Sequence, residues 1–127
     1  MPSDPRLDAL RRDLDRRTTF IDHRDRSLDE AAVLLTLRIT EPLELLLIER
    51  AEKAGDPWSG HMALPGGRRE ADDPDLLATA LRETREETGI VVPRSDVLGR
   101  LDELGPSVTR RRFSLVIAPF VAAVPAA

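Results

Sequence analysis

The chain has no cysteine, which excludes disulfides, thiolate metal ligands and a cysteine nucleophile. It has no apolar run approaching ~18 residues, and its opening, "MPSDPRLDAL", lacks the apolar core of a secretory signal. A basic excess is missing too: the net charge of −4 invites neither nucleic acid nor an anionic membrane. Lysine is almost absent, with Lys53 alone among 19 basic residues, a compositional bias that carries no chemistry. The single tryptophan, Trp58 in "DPWSG", has no second aromatic nearby and reads as a loop anchor rather than a platform for a base. There is no Ser/His/Asp arrangement, P-loop or dinucleotide fingerprint. These absences predict a soluble, cytoplasmic protein.

What is present suits a single domain over 1–127, with 41% hydrophobic and 33% charged residues. Leu7, Leu10 and Leu14 recur at helical spacing behind Asp4 and Pro5, a cap and a first helical residue. Residues 1–30 therefore read as a short helix and a polar connector. "AAVLLTLR" (31–38) and "LELLLIER" (43–50) read as strands joined through "TEP" into an antiparallel hairpin. A Gly/Pro-punctuated loop follows, with a short strand at "HMAL" (61–64). Asp73-Pro74-Asp75 starts a helix predicted from about Pro74 to Thr88 and closed by a left-handed Gly89. "VLGRLDEL" (97–104) and "RFSLVIAPFV" (112–121) are the last strands. Strands interleaved with two helices predict a mixed sheet flanked by helices.

The second helix ends in "LRETREETGI" (81–90), where Glu83, Glu86 and Glu87 crowd together. Glu83 and Glu87 are four residues apart, a spacing that costs about 0.2–0.5 kcal/mol for like charges. On a helical wheel Leu77, Ala80, Leu81, Thr84 and Thr88 form the packed face, and the three glutamates occupy the adjoining arc. Thr79 and Ala80, both small, are expected to leave open volume above the carboxylates. A hard divalent cation would remove the repulsion, since Mg²⁺ takes oxygen ligands. Taken alone, the string also fits a solvated face with an ordinary Arg82–Glu86 pair; what precedes it shifts the balance.

The stretch "PGGRREADDPDLLATALRETREETGI" (65–90) resembles the Nudix box of the Nudix hydrolases. Arg82, Glu83, Glu86, Glu87, Gly89 and Ile90 fall in place, and Thr84 replaces the usual aliphatic residue. Counting back by the family's spacing puts Arg68 at its glycine and Pro74 at its first glutamate, so the loop is offset by an insertion. Gly66 and Gly67 then serve as the glycines, and Glu70, Asp72 or Asp73 as the acid that pairs with the box arginine. Gly60 and "LPGG" (64–67) are similar to the coenzyme A diphosphatase branch. Asp56 stands where that branch has arginine, and "LLIER" only approximates its leading element.

The resemblance implies an α/β (α+β) fold, an α/β/α sandwich with a mixed sheet between helices. It also implies hydrolysis of a phosphoanhydride in a nucleoside diphosphate derivative, with coenzyme A or an acyl derivative first and ADP-ribose or a dinucleotide as alternatives. A non-catalytic nucleotide- or protein-binding domain is the alternative of another class. Mg²⁺ or Mn²⁺ would be held by Glu83, Glu86 and Glu87. The catalytic set would be Glu83, Glu87 and Arg82, with Glu83 as base and Arg82 orienting the box against a loop acid. Gly66, Gly67 and Arg50 would meet substrate, and a homodimer is a common assembly of the family. Relatives usually continue past "FVAAVPAA", which implies a C-terminally truncated chain or an unusually compact member. The arginines of "TRRRF" (109–113) read as sheet-edge charge, His61 as structural, and His23 carries no signal.

Overall fold

The computed structural model describes residues 4–16, 29–49, 54, 60–105 and 115–126. In chain order its elements are α1 (Pro5–Asp15), β1 (Asp29–Ile39), β2 (Glu44–Leu45), β3 (Ile48–Glu49), β4 (Met62–Ala63), β5 (Gly66–Arg68), α2 (Leu76–Thr88), a 3₁₀ turn (Arg94–Asp96), β6 (Val97–Arg100) and β7 (Leu115–Pro125). β1 and β7 run parallel along their whole length, from Asp29 opposite Leu115 to Ile39 opposite Pro125. β5 and β2 share the other edge of β1, both antiparallel, and β6 pairs antiparallel with β7. The sheet is mixed, as expected.

Side-chain alternation gives each face of the sheet its own helix. Ala32 and Leu34 of β1, with Ala118, Phe120 and Ala122 of β7, pack with Ala80 of α2 and Val92. Leu35, Leu37 and Ile39, with Val121 and Ala123, meet Leu7 and Leu14 of α1 on the other side. Burial on both faces explains why these strands read as unbroken apolar runs rather than alternating ones. The α2 side is lined by methyl groups: Ala32, Ala80, Ala118 and Ala122 have no exposed surface. On the α1 side Gly99 makes room for the helix, since a Cβ there would lie 2.8 Å from Leu14 Cβ.

Helix α1 begins as the sequence predicts, with the Asp4 side chain accepting the Arg6 N–H and Pro5 at the first helical position. Helix α2 does not. It starts at Leu76, two residues later than expected, and its cap is Asp75, whose side chain accepts the Ala78 N–H. Asp73 is turned inward to another partner and has no part in the cap. At the other end Gly89 takes the expected left-handed conformation, φ 78°.

The second apolar run behaves differently from its pattern. Among the described residues of that run, Glu44 and Leu45 pair with β1, opposite Arg38 and Leu37, and the Leu46 N–H donates to the Thr36 carbonyl at 3.0 Å. The chain then leaves the sheet, and Ile48 and Glu49 pair with Ala63 and Met62 in a separate two-stranded ribbon. Leu45 and Leu47 are exposed accordingly. The sixth strand stops at Arg100, with Leu104 rejoining β7 through a single bridge to Ile117. β7 continues past the predicted end, to Pro125. Residues 112–114 and the connector at 17–28 lie outside the described residues.

Candidate active site

β5, read from sequence as loop, lies antiparallel to the start of β1 with Gly66 opposite Val33 and Gly67 opposite Ala32. Two close approaches require its glycines. A Cβ at position 66 would lie 2.4 Å from the Ala32 carbonyl oxygen, and one at 67 would lie 2.6 Å from Glu83 Cδ. The Gly66 N–H donates to Glu87 Oε1 at 3.1 Å. Two of the three glutamates are thus braced on the glycine strand, Glu83 by contact and Glu87 by a hydrogen bond. The sequence assigned these glycines to substrate; in the structure each also has a partner within the protein.

Arg82 links the loop to the glutamates. Its Nε and Nη2 donate to Asp73 Oδ1 and Oδ2 at 3.0 and 2.9 Å, a bidentate pair. Its Nη1 donates to Glu83 Oε1 at 2.9 Å and to Glu86 Oε2 at 3.2 Å. The loop acid opposite the box arginine is therefore Asp73. Glu70 stands 3.6 Å from Arg82 Nη1 with its side chain 66% exposed, and Asp72 is exposed. Asp73 is only 6% exposed and Arg82 18%. The Arg82 guanidinium, and then the Glu70 N–H, hold the Asp73 carboxyl well below the usual carboxylate range despite burial. Asp73 in turn raises Arg82 above the usual guanidinium value.

The insertion that offsets the loop is closed on itself. Arg69 donates from Nε and Nη2 to the Asp73 carbonyl, each at 3.3 Å, and from Nη2 to the Pro74 carbonyl at 3.2 Å. Its Nη1 also reaches Glu30 Oε1 on β1 at 3.3 Å. These contacts carry Asp73 inward to α2 while Asp75 turns to the helix N-terminus.

The Arg82–Glu86 pair expected of an ordinary helix face is present, so a guanidinium already offsets part of the repulsion along the stripe. Glu83 is half-buried, whereas Glu86 and Glu87 are exposed. Among the described residues no three His, Asp or Glu side chains are arranged to hold a metal ion. Glu83 and Glu86 face Arg82, and Glu87 faces Gly66. Thr79 corrects the sequence reading: it does not open space above the carboxylates but is fully buried and donates to Asp73 Oδ2 at 2.9 Å. A threonine in a helix interior where an aliphatic residue would pack is the signal that could have found it.

Gly60 has a left-handed φ of 76°, and His61 is exposed. Arg50, Trp58, His23 and the arginines at 110–112 lie outside the described residues. A groove of about 340 Å³ is lined by Asp73, Leu81, Arg82, Arg85, Val91 and Arg94, among others. It touches the buried end of the Arg82 network but none of the glutamates, so it is not where the candidate chemistry lies.

The NUDIX domain pattern matches residues 28–125. Over 87 residues, 68% of the chain, 37% are identical to mouse mitochondrial coenzyme A diphosphatase NUDT8, of which they cover 40%. Over 96 residues, 76% of the chain, 38% are identical to NudL of Yersinia pestis, an uncharacterized Nudix hydrolase, of which they cover 45%. The chain thus spans less than half the length of these relatives. Among solved structures, the NUDIX domain of Shewanella oneidensis NrtR, complexed with ADP ribose, superposes with a TM-score of 0.64 at 24% identity. That match covers 77% of this chain and 61% of the other, and it supports the α/β/α fold. Among the described residues no helix is long and apolar enough to cross a membrane.

Proposed function

The chain belongs to the NUDIX domain family, and from that footing we propose that it hydrolyses a phosphoanhydride bond in a nucleoside diphosphate derivative with a divalent metal ion. The observation that carries the proposal is the junction of α2 with β5. There Glu83 lies on Gly67, Glu87 accepts the Gly66 N–H, and Arg82 holds Glu83 and Glu86 from the other side. Three carboxylates at one helix–strand junction are an oxygen-only donor set, which suits Mg²⁺ or Mn²⁺ rather than a softer ion. Glu83, Glu86 and Glu87 would hold the ion, which when bound screens phosphate charge and activates water.

The chain's own residues do the rest. Glu83, the least exposed of the three, takes the proton of the attacking water. Arg82, tied to Asp73, keeps the stripe aligned. Arg50, with the β5 backbone at Gly66 and Gly67, meets the substrate.

Coenzyme A or an acyl derivative is the first substrate, giving 3′,5′-ADP and the (acyl-)4′-phosphopantetheine. Gly60, the "LPGG" element and the likeness to a named coenzyme A diphosphatase support it. Asp56, standing where that branch has arginine, keeps ADP-ribose or a dinucleotide open as the second candidate. The test is a substrate panel with the purified chain in Mg²⁺ and then Mn²⁺, with products identified by mass spectrometry. Coenzyme A cleavage is expected. Cleavage of ADP-ribose instead keeps the chemistry and moves the substrate. Metal binding without cleavage of any member would overturn the enzymatic reading in favour of a binding domain.

A further inference from the structure

Two threonines of α2, Thr79 and Thr84, have no exposed surface, and their hydroxyls do different things. Thr84 Oγ1 donates to the Ala80 carbonyl of its own helix at 2.8 Å. Thr79 Oγ1 leaves its helix to donate to Asp73 Oδ2 at 2.9 Å; its alternative acceptor, the Asp75 carbonyl, is longer at 3.4 Å. We infer that Thr79 is a positioning residue for the glutamate stripe, acting through Asp73 and Arg82. The inference rests on the proposal that Glu83 and Glu86 hold the metal.

The geometry gives the chain of effects. Asp73 has a short side chain, so the loop must deliver its carboxylate to the helix. Four donors then fix it: Arg82 Nε on Oδ1, and Arg82 Nη2, the Glu70 N–H and Thr79 Oγ1 on Oδ2, all between 2.9 and 3.0 Å. One of these donors comes from the loop, and Thr79 is the anchor one helical turn before Arg82. A guanidinium is planar and rigid, so fixing two of its nitrogens fixes the third. With Nε and Nη2 held by Asp73, Nη1 is aimed at Glu83 and Glu86. Removing the Thr79 hydroxyl leaves Oδ2 to Arg82 Nη2 and the Glu70 N–H of the loop, without its neutral donor from the helix. Asp73 then shifts toward the loop, the guanidinium turns with it, and Nη1 moves off the carboxylates. Thr84 offers a matched control, because its hydroxyl serves only to bond the helix backbone in the same burial.

The test compares wild type with Thr79→Val, Thr79→Ala, Thr79→Ser and Thr84→Val. Thr79→Ala removes the hydroxyl without placing a new methyl against Asp73, and so covers the case in which the valine variant does not fold. Exchange of the Arg82 Nε–H is followed by NMR in the metal-free protein, the signal being assigned by its loss in Arg82→Lys. Mn²⁺ affinity is measured separately by electron paramagnetic resonance. In wild type the Arg82 Nε–H is expected to exchange slowly. Loss of the Thr79 hydroxyl should speed that exchange and weaken Mn²⁺ binding about tenfold, the lower end for outer partners of metal ligands. Thr79→Ser should restore both, and Thr84→Val should leave both near wild type while lowering the melting temperature. Thr79→Ala with unchanged exchange and Mn²⁺ affinity would overturn the inference while the metal site stands. So would a Thr84→Val that loses both equally, since general loosening of the helix would then suffice. A wild type that binds no Mn²⁺ would overturn the metal site itself, and the inference with it.

Discussion

At Glu87 the side chain accepts the Gly66 N–H, while Glu83 and Glu86 both accept from Arg82 Nη1. Like charges at this spacing oppose one another, and here protein donors reduce the cost before any ion enters. Glu87→Gln keeps an amide oxygen for the Gly66 N–H and removes one negative charge. Its metal-free melting free energy should therefore stay within about 0.5 kcal/mol of wild type, as for a surface substitution. Hydrolysis should be abolished, and turnover within about threefold of wild type would remove Glu87 from the ligand set. The positions of all three glutamates were legible in the sequence. Their partners were not: Arg82 could be paired with Glu86 by helical spacing, but nothing local directs Glu87 to a strand 21 residues earlier.

The loop and the helix it feeds behave as one element. Two aspartates two residues apart divide the work, Asp75 capping α2 and Asp73 clasping Arg82. Sequence preference for Asp-Pro-Asp gave the helix start but put the cap on the wrong aspartate, because a cap pattern does not register a half-buried arginine nine residues on. Asp73→Asn should cost about 2 kcal/mol at neutral pH, the range for hydrogen bonds to charged groups. The pH dependence has a definite sign. The folded Asp73 carboxyl lies below its ordinary value of 3.8, so its stabilisation is present above 3.8 and lost as pH falls through the folded value. In urea titrations the gap between wild type and Asp73→Asn should hold from pH 7 to about 5 and narrow by about pH 3. An equal gap at both ends would show that the ion pair is not its source.

Over the whole molecule, α2 stands on alanine. Ala32, Ala118 and Ala122 form a floor of methyl groups under Ala80, and the same helix presents its glutamates to β5 at its edge. The depth of that floor therefore sets the distance between Glu83 and Gly67. Ala118→Leu adds volume under α2 and should cost about 1–3 kcal/mol by overpacking. It should also weaken Mn²⁺ binding, although position 118 is far from the acids in sequence and touches none of them. Urea denaturation reads the first effect and a Mn²⁺ titration the second. Destabilisation with full Mn²⁺ affinity would mean that the helix tilts without disturbing its junction with β5.

Features set by neighbours along the chain were readable without the fold. Asp4 and Pro5 start α1, Gly89 ends α2 with a positive φ, and the apolar runs from Ala31 and toward Val121 become β1 and β7. The box residues of α2 also declared themselves, since 3.6-residue periodicity places Glu83, Glu86 and Glu87 without reference to the rest of the fold. Long-range packing settled which loop acid meets Arg82, that Gly66–Arg68 is a strand, and that the run at 43–50 splits between two sheets. Each of those outcomes is a choice among chemically similar partners. Glu70, Asp72 and Asp73 are all acids within reach by sequence. The closure of the loop by Arg69 and the donor from Thr79, contacts that exist only once helix and sheet have packed, single out Asp73.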